Sequence, residues 1–331
     1  MYTKFYGLEE KPFEITPDPK FLYLSDNYKE ALAHLVYAVR ERKGFTVVTG
    51  EVGTGKTTLV QTLLSRLDGE VRTAYVFNPK LGATDFLHYI CEDLGLKGQA
   101  KSKGQCIAEL HNFLMACYAR NENVVLIIDE AHTLDPKLLE EVRLLTNLET
   151  PKSKLLQVIL MGQPELDEVL NRPQFRQLKQ RVSLRFHMQP LDQGGTERYI
   201  RKRLEMAGAV NADLFTPKAV GAIYRYSKGI PRLINILCDN ALLAGYAADQ
   251  RVIQKSVIQE VIGYLEGAGQ KKPKRFMIWV LILVVLFIFG ATFLLWKGYL
   301  SNAKWEMIEG IEATMKAAGR FLGELLEKIL R

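Results

Sequence analysis

Cysteine is scarce in this chain, and the four present (Cys91, Cys106, Cys117 and Cys238) include no C-x-x-C pair. That argues against a zinc ribbon, a dithiol redox motif or a disulfide scaffold, and reads as reduced, buried thiols of a cytoplasmic domain. No helix-turn-helix or zinc-finger pattern is present, so a dedicated DNA-reading module is not expected. Residues 1–19 are too polar and too rich in proline for a secretory leader. Neither sign of charge dominates: the formal net charge is +7 over 331 residues, mildly basic and compatible with nucleic acid or an anionic membrane. Large-scale disorder is excluded by 48% apolar residues, and the length suggests about two domains. One absence is local. Residues 276–296 carry no charged side chain, and as a helix they would cross a hydrocarbon core of about 30 Å. The basic run 271–275 precedes them, which predicts a cytoplasmic N-terminal side, with Trp279, Trp296 and Tyr299 at the interfaces.

The densest chemical signal is Gly50-Glu51-Val52-Gly53-Thr54-Gly55-Lys56-Thr57, followed by Thr58. It fits G-x-x-x-x-G-K-[ST] and follows the β-like run 45–49, which would feed straight into the loop. Small residues let successive main-chain N–H groups close on a polyphosphate, and the helix that follows adds a favourable dipole. Lys56 is expected on the β and γ phosphates and Thr57 on Mg²⁺. A second element, 123–128, is an apolar run ending in Asp129 and Glu130. Such runs are strands buried on both faces of a parallel sheet. Asp129 would then hold the magnesium shell, while Glu130 polarises a water, a hydrolase pattern with ATP and Mg²⁺ as cofactors.

Further strand signals at 71–77, 155–161 and 182–188 alternate with helices, which predicts an α/β three-layer parallel sheet. From about 192 the pattern is helical only, over 197–207, 217–227, 231–248 and 256–266. The expected organisation is an N-terminal lead-in and helix over 1–44, a P-loop α/β domain over 45–190 and a helical lid over 191–266. A basic linker at 267–275, a transmembrane helix at 276–296 and a tail at 297–331 would follow. In the tail, Ile308, Ile311, Met315, Ala318, Leu322, Leu325 and Ile329 recur at steps of 3 and 4, the spacing of an amphipathic helix. That helix could pair with copies of itself, lie on the outer leaflet or dock on another membrane protein.

A P-loop sheet domain followed by a four-helix lid carrying Gly229-Ile230-Pro231-Arg232 resembles an AAA+ ATPase. The resemblance implies that Arg232 is a sensor reaching the γ-phosphate from the lid. It implies that Gln163, after the strand near 161, orients the attacking water. It places an arginine finger among Arg172, Arg176, Arg181 and Arg185, with Arg181 favoured and Arg176 second. A finger acts across an interface, so a homo-oligomer with nucleotide between subunits is implied. Asn78 resembles the residue that in some relatives restrains the catalytic glutamate.

A closer resemblance covers about residues 1–265. The segments Phe5-Tyr6-Gly7-Leu8, Lys11-Pro12-Phe13 and Pro17-Asp18-Pro19 precede G-E-V-G-T-G-K-T-T, Y-V-F-N-P, I-I-D-E-A-H, G-Q-P-E-L and G-I-P-R in order. This is similar to the ExeA/GspA family of general secretion pathway ATPases. It implies a bacterial inner-membrane, single-pass ATPase with a periplasmic tail, working with envelope secretion, pilus or exopolysaccharide-export components and contacting membrane lipid. The N-terminal aromatics would pack over the adenine or simply form core. The family's folded peptidoglycan-binding region has no counterpart in the short tail, so wall binding would need a partner. Two other readings stay open: a nucleic-acid-associated AAA+ regulator, for which nucleic acid is the less expected partner given the anchor, and a nucleotide-gated membrane oligomerisation switch.

Overall fold

The computed structural model describes residues 1–16, 18–67, 69, 71–77, 79, 81–96, 102–151, 153–267 and 310–320. The chain divides into two units, Met1–Glu266 and Gly267–Arg331. In the first, five strands form one parallel sheet: β1 Phe45–Gly50, β2 Val71–Val76, β3 Asn123–Ile128, β4 Gln157–Gly162 and β5 Leu184–Met188. The order across the sheet is β2-β3-β4-β1-β5. Burial follows that order. Every residue of β1, β3 and β4 is buried, whereas the edge strands β2 and β5 alternate. Three continuous Val/Ile/Leu-rich runs thus occupy the middle, where helices cover both faces, and the strands with exposed positions lie outside.

The helices are α1 Tyr2–Tyr6, α2 Asp26–Arg40, α3 Lys56–Leu64, α4 Ala83–Asp93, α5 Lys103–Ala119 and α6 Pro136–Leu145. They continue with α7 Glu165–Leu170, α8 Arg176–Lys179, α9 Gln193–Met206, α10 Pro217–Ser227, α11 Pro231–Ala247 and α12 Lys255–Leu265. On one face of the sheet α2 and α3 pack Leu35, Leu59 and Leu63 against Val48, Ile127 and Ile159. On the other, α4, α5 and α6 pack Phe86, Leu110 and Leu139 against Val47, Leu126 and Leu160. Start signals read from sequence are realised at α6, where Asp135 accepts from Lys137 N at 2.6 Å and Pro136 takes the first helical position.

Helices α9 to α12, after the sheet, pack around a core distinct from the two on the sheet faces. The lead-in over 1–44 divides between this core and the sheet. Tyr2, Tyr6, Leu8, Phe13 and Phe21 pack with lid residues such as Leu204, Ile223 and Leu237, whereas α2 packs on the sheet. In the second unit the described residues 310–320 are helical and exposed, including Ile311 and Met315. Among the described residues no helix is long and apolar enough to cross a membrane. The expected span 276–296, the linker over 268–275, most of the tail and Asn78 lie outside the described residues.

Candidate nucleotide site

Strand order decides what meets at the carboxyl ends of the strands. β4 lies between β1 and β3, so the P-loop leaving β1 and the acids leaving β3 face each other across the end of β4. Sequence reading placed Gln163 at the strand between the two motifs, and it does follow that strand directly.

Lys56 opens α3 and is buried, with Nζ donating to Gly50 O at 2.7 Å and to Glu51 O at 3.0 Å. Burial pushes its ammonium below the ordinary lysine range, against the pull of Glu130 and Asp129. A desolvated cation of this kind gains from an anion that supplies the charge it lacks. At the next position of the same helix, Thr57 Oγ1 donates to Asp129 Oδ2 at 2.8 Å. Tyr75 on β2 donates to the same oxygen at 3.2 Å, and Glu130 N donates to Asp129 Oδ1 at 2.8 Å. Burial beside Asp129 raises the Tyr75 hydroxyl well above its ordinary value, so it stays a donor. The hydroxyl of Thr57 and the carboxylate of Asp129 are hard oxygen donors in direct contact, a pairing that fits Mg²⁺ shared with phosphates.

Glu130 has a left-handed backbone, φ 50. Its carboxylate is half-exposed, and Oε2 lies 3.6 Å from His132 Nε2. The lid closes the loop from above. Arg232 N donates to Gly53 O at 3.3 Å. A Cβ on Gly53, φ +84, would stand 2.6 Å from Arg232 Cβ, so only glycine admits the lid turn here. A cavity of about 520 Å³ is lined by Val52–Thr58, Glu130, Arg232, Tyr199 and the N-terminal residues Ile15, Phe21 and Tyr23. The N-terminal segment is pinned there by Arg203. Its guanidinium donates to Pro12 O, to Tyr199 OH at 2.9 Å and to Glu14 O at 3.5 Å, and lies over the Phe21 ring.

The structure therefore brings Val52 to Thr58, Glu130 and Arg232 onto one cavity, joins Asp129 to it through Thr57, and reaches Gln163 only through its main-chain N–H on His132. The arginines of the 172–185 segment differ among themselves. Arg181 is half-buried and donates to Thr146 Oγ1 at 2.7 Å, and Arg185 pairs with Asp167 at 2.9 Å. The guanidinium groups of Arg172 and Arg176 are exposed and make no hydrogen bond or ion pair among the described residues. Sequence reading missed Tyr75, His132 and Arg203. The first two sit in the Y-V-F-N-P and D-E-A-H segments already singled out, but Tyr75 meets Asp129 and His132 meets Gln163 from different strand ends. Arg203 is a basic residue on a charged helix, with nothing local to mark it as buried.

The fold and this site define a P-loop AAA+ ATPase domain. A family model described as an AAA domain matches residues 39–170. The chain is 48% identical over 248 residues to general secretion pathway protein A of Aeromonas hydrophila, covering 75% of this chain and 45% of that protein. It thus spans less than half the length of this relative. Among solved structures it resembles the ORC2 protein of Aeropyrum pernix, with TM-score 0.57 and 17% identity over 77% of this chain and 71% of that one. It also resembles Cdc6p of Pyrobaculum aerophilum, with TM-score 0.56 and 17% identity over 72% and 68% of the two chains. At that identity the likeness concerns the fold. The chain belongs to the ExeA/GspA-type AAA+ ATPase family.

Proposed function

We propose that this chain is a membrane-anchored ATP hydrolase whose lid motion drives or regulates assembly of an envelope secretion, pilus or exopolysaccharide-export machine. The observation that carries the hydrolytic part is the convergence of Lys56, Thr57, Glu130 and the lid's Arg232 on one cavity, with Asp129 held directly behind Thr57. Thr57 and Asp129 would hold Mg²⁺, which would supply neutralisation of phosphate charge. Lys56 exchanges the carbonyls of Gly50 and Glu51 for phosphate oxygens. Glu130 takes up the proton of the attacking water, with the Gln163 amide as a further orienting group. Arg232 senses the γ-phosphate and links it to the lid, while Arg181, or the freer Arg176, reaches a neighbouring subunit's nucleotide in a homo-oligomer.

The secretion role is supported by the relative's name and by the run of shared motifs. The anchor is supported by the uncharged stretch 276–296 and the basic cluster 271–275 before it. On this reading the ATPase lies on the cytoplasmic side of a bacterial inner membrane and the tail is periplasmic.

The test begins with ATP binding and turnover of the full chain. Lys56→Ala should lose binding. Glu130→Gln should bind normally and lose turnover by about 100-fold or more, the scale of a removed general base; normal turnover overturns the catalytic assignment. The same Glu130→Gln protein, trapped with ATP in native membranes, should co-purify with secretin, pilus or polysaccharide-export components. Recovery of DNA or recombination proteins without envelope partners refutes the assembly role.

A further inference from the structure

Glu130 is held in an unusual way. Its backbone is pinned: φ is 50, its N–H donates to Asp129 Oδ1 at 2.8 Å, and its carbonyl accepts from Thr133 N at 2.9 Å and Thr133 Oγ1 at 2.8 Å. A non-glycine residue keeps a left-handed backbone only where its surroundings over-determine it. The side chain, by contrast, is 45% exposed. For a group that must hold one water in line, the restraint has to come from a neighbour.

That neighbour is His132. Its side chain is 14% exposed, far more fixed than that of Glu130, and its two ring nitrogens face different elements. Nδ1 accepts the main-chain N–H of Gln163 at 3.4 Å, at the end of β4. A main-chain N–H can only donate, so Nδ1 must be the acceptor, and the proton of the neutral ring sits on Nε2. Nε2 in turn stands 3.6 Å from Glu130 Oε2, within reach of a small rotation of the exposed carboxylate. The imidazole therefore bridges the end of β4 to the carboxylate beyond β3.

Resting on the hydrolytic reading of Glu130, we propose that His132 is the positioning residue for that carboxylate: Gln163 N–H sets the ring tautomer, and Nε2–H then fixes where Glu130 stands. It is not a catalytic residue, because it acts on the water only through Glu130. The arrangement changes what Gln163 does. Sequence reading assigned its side-chain amide to the water, whereas its main-chain N–H also enters the site by way of His132.

The test compares His132→Ala, His132→Asn and His132→Gln in the full chain, reading ATP affinity, kcat and thermal melting together. Glutamine can present an N–H near the place of Nε2. Asparagine can only replace Nδ1. Expected are near-unchanged ATP affinity in all three and a fall in kcat of about 10- to 100-fold in the alanine and asparagine variants, the cost of a misplaced group. The glutamine variant should recover to within about threefold of the parent, as a retained donor predicts. In the Glu130→Gln background, adding His132→Ala should lower the residual turnover no further, since both changes act on one step. Parent-like turnover in His132→Ala with Glu130→Gln inactive overturns the positioning role alone. Equal loss of ATP affinity and melting temperature in all three variants also overturns it, by showing a structural role. Parent-like turnover in Glu130→Gln overturns both this role and the hydrolytic reading beneath it.

Discussion

Replacing Gly229 with alanine should detach the lid turn from the P-loop, and its cost can be worked from the backbone. Gly229 has φ +78, and a Cβ there would lie 1.7 Å from Leu191 O and 2.7 Å from Leu191 C. Both are main-chain atoms, so no side chain can swing aside. The left-handed backbone costs an alanine about 1–2 kcal/mol. Opening the turn to relieve the overlap adds the strain typical of an overpacked site, about 1–3 kcal/mol. It also breaks the hydrogen bond from Leu191 N to Gly229 O at 2.9 Å, worth about 1 kcal/mol. Together these give a loss of roughly 3–6 kcal/mol, or a fall in Tm on the order of 6–20 °C for a unit of this size. ATP affinity should fall as well, because Ile230 and Arg232 rest on Gly53 through the same turn. Gly7→Ala is the control. Its φ is +67 and a Cβ would meet nothing within 4 Å, so only backbone strain remains, about 1–2 kcal/mol. The assay is thermal unfolding of the full chain followed by circular dichroism, with nucleotide binding measured alongside. Equal Tm losses in the two variants would refute the steric part of this reasoning. Unchanged ATP affinity in Gly229→Ala would refute the link between lid turn and loop.

Arg203→Ala should free the N-terminal segment, since one buried guanidinium holds Pro12 O, Glu14 O and Tyr199 OH; limited proteolysis should cut near residues 9–24 faster, with about 2–4 kcal/mol lost, and Arg203→Lys should not rescue it, because an ammonium cannot span the same fork. The hydroxyl of Tyr6, which donates to Gln250 O at 3.0 Å, is pushed up by burial from its ordinary 10.0 to about 12, partly offset by Arg251. The folded state thus keeps a proton that the unfolded chain gives up, so this contribution is fully present below pH 10 and is lost between about pH 10 and 12; denaturant melts should show a shallower alkaline loss in Tyr6→Phe, and an unchanged slope would refute the assignment. Mixing Arg181→Ala with Lys56→Ala subunits should restore turnover if Arg181 is the finger; failure with intact oligomers moves the role to the exposed Arg176.

Much of this protein was legible along the chain because its signals are local. The phosphate loop needs small residues at fixed offsets before a helix, and the apolar run 123–128 with two acids at its end reads as a central strand whatever surrounds it. The cap and proline at Asp135-Pro136 are equally local. The same holds for the helical lid, whose apolar spacing appears in each helix separately. Other features required the chain to be folded. That β4 separates the loop from the acids follows from strand order, which is a matter of pairing between segments far apart in the chain. Docking of Phe13 and Phe21 into the lid core is accompanied by a buried arginine drawn from a charged helix, Arg203, on Pro12 O and over the Phe21 ring. The bridge from Gln163 through His132 to Glu130 joins residues whose main-chain and ring atoms meet only when two parallel strands end side by side. Residue identity along the chain therefore determined which groups could carry phosphate chemistry. Tertiary packing decided which of them touch, because hydrogen bonds and steric contacts depend on separations in space and not on distance along the backbone.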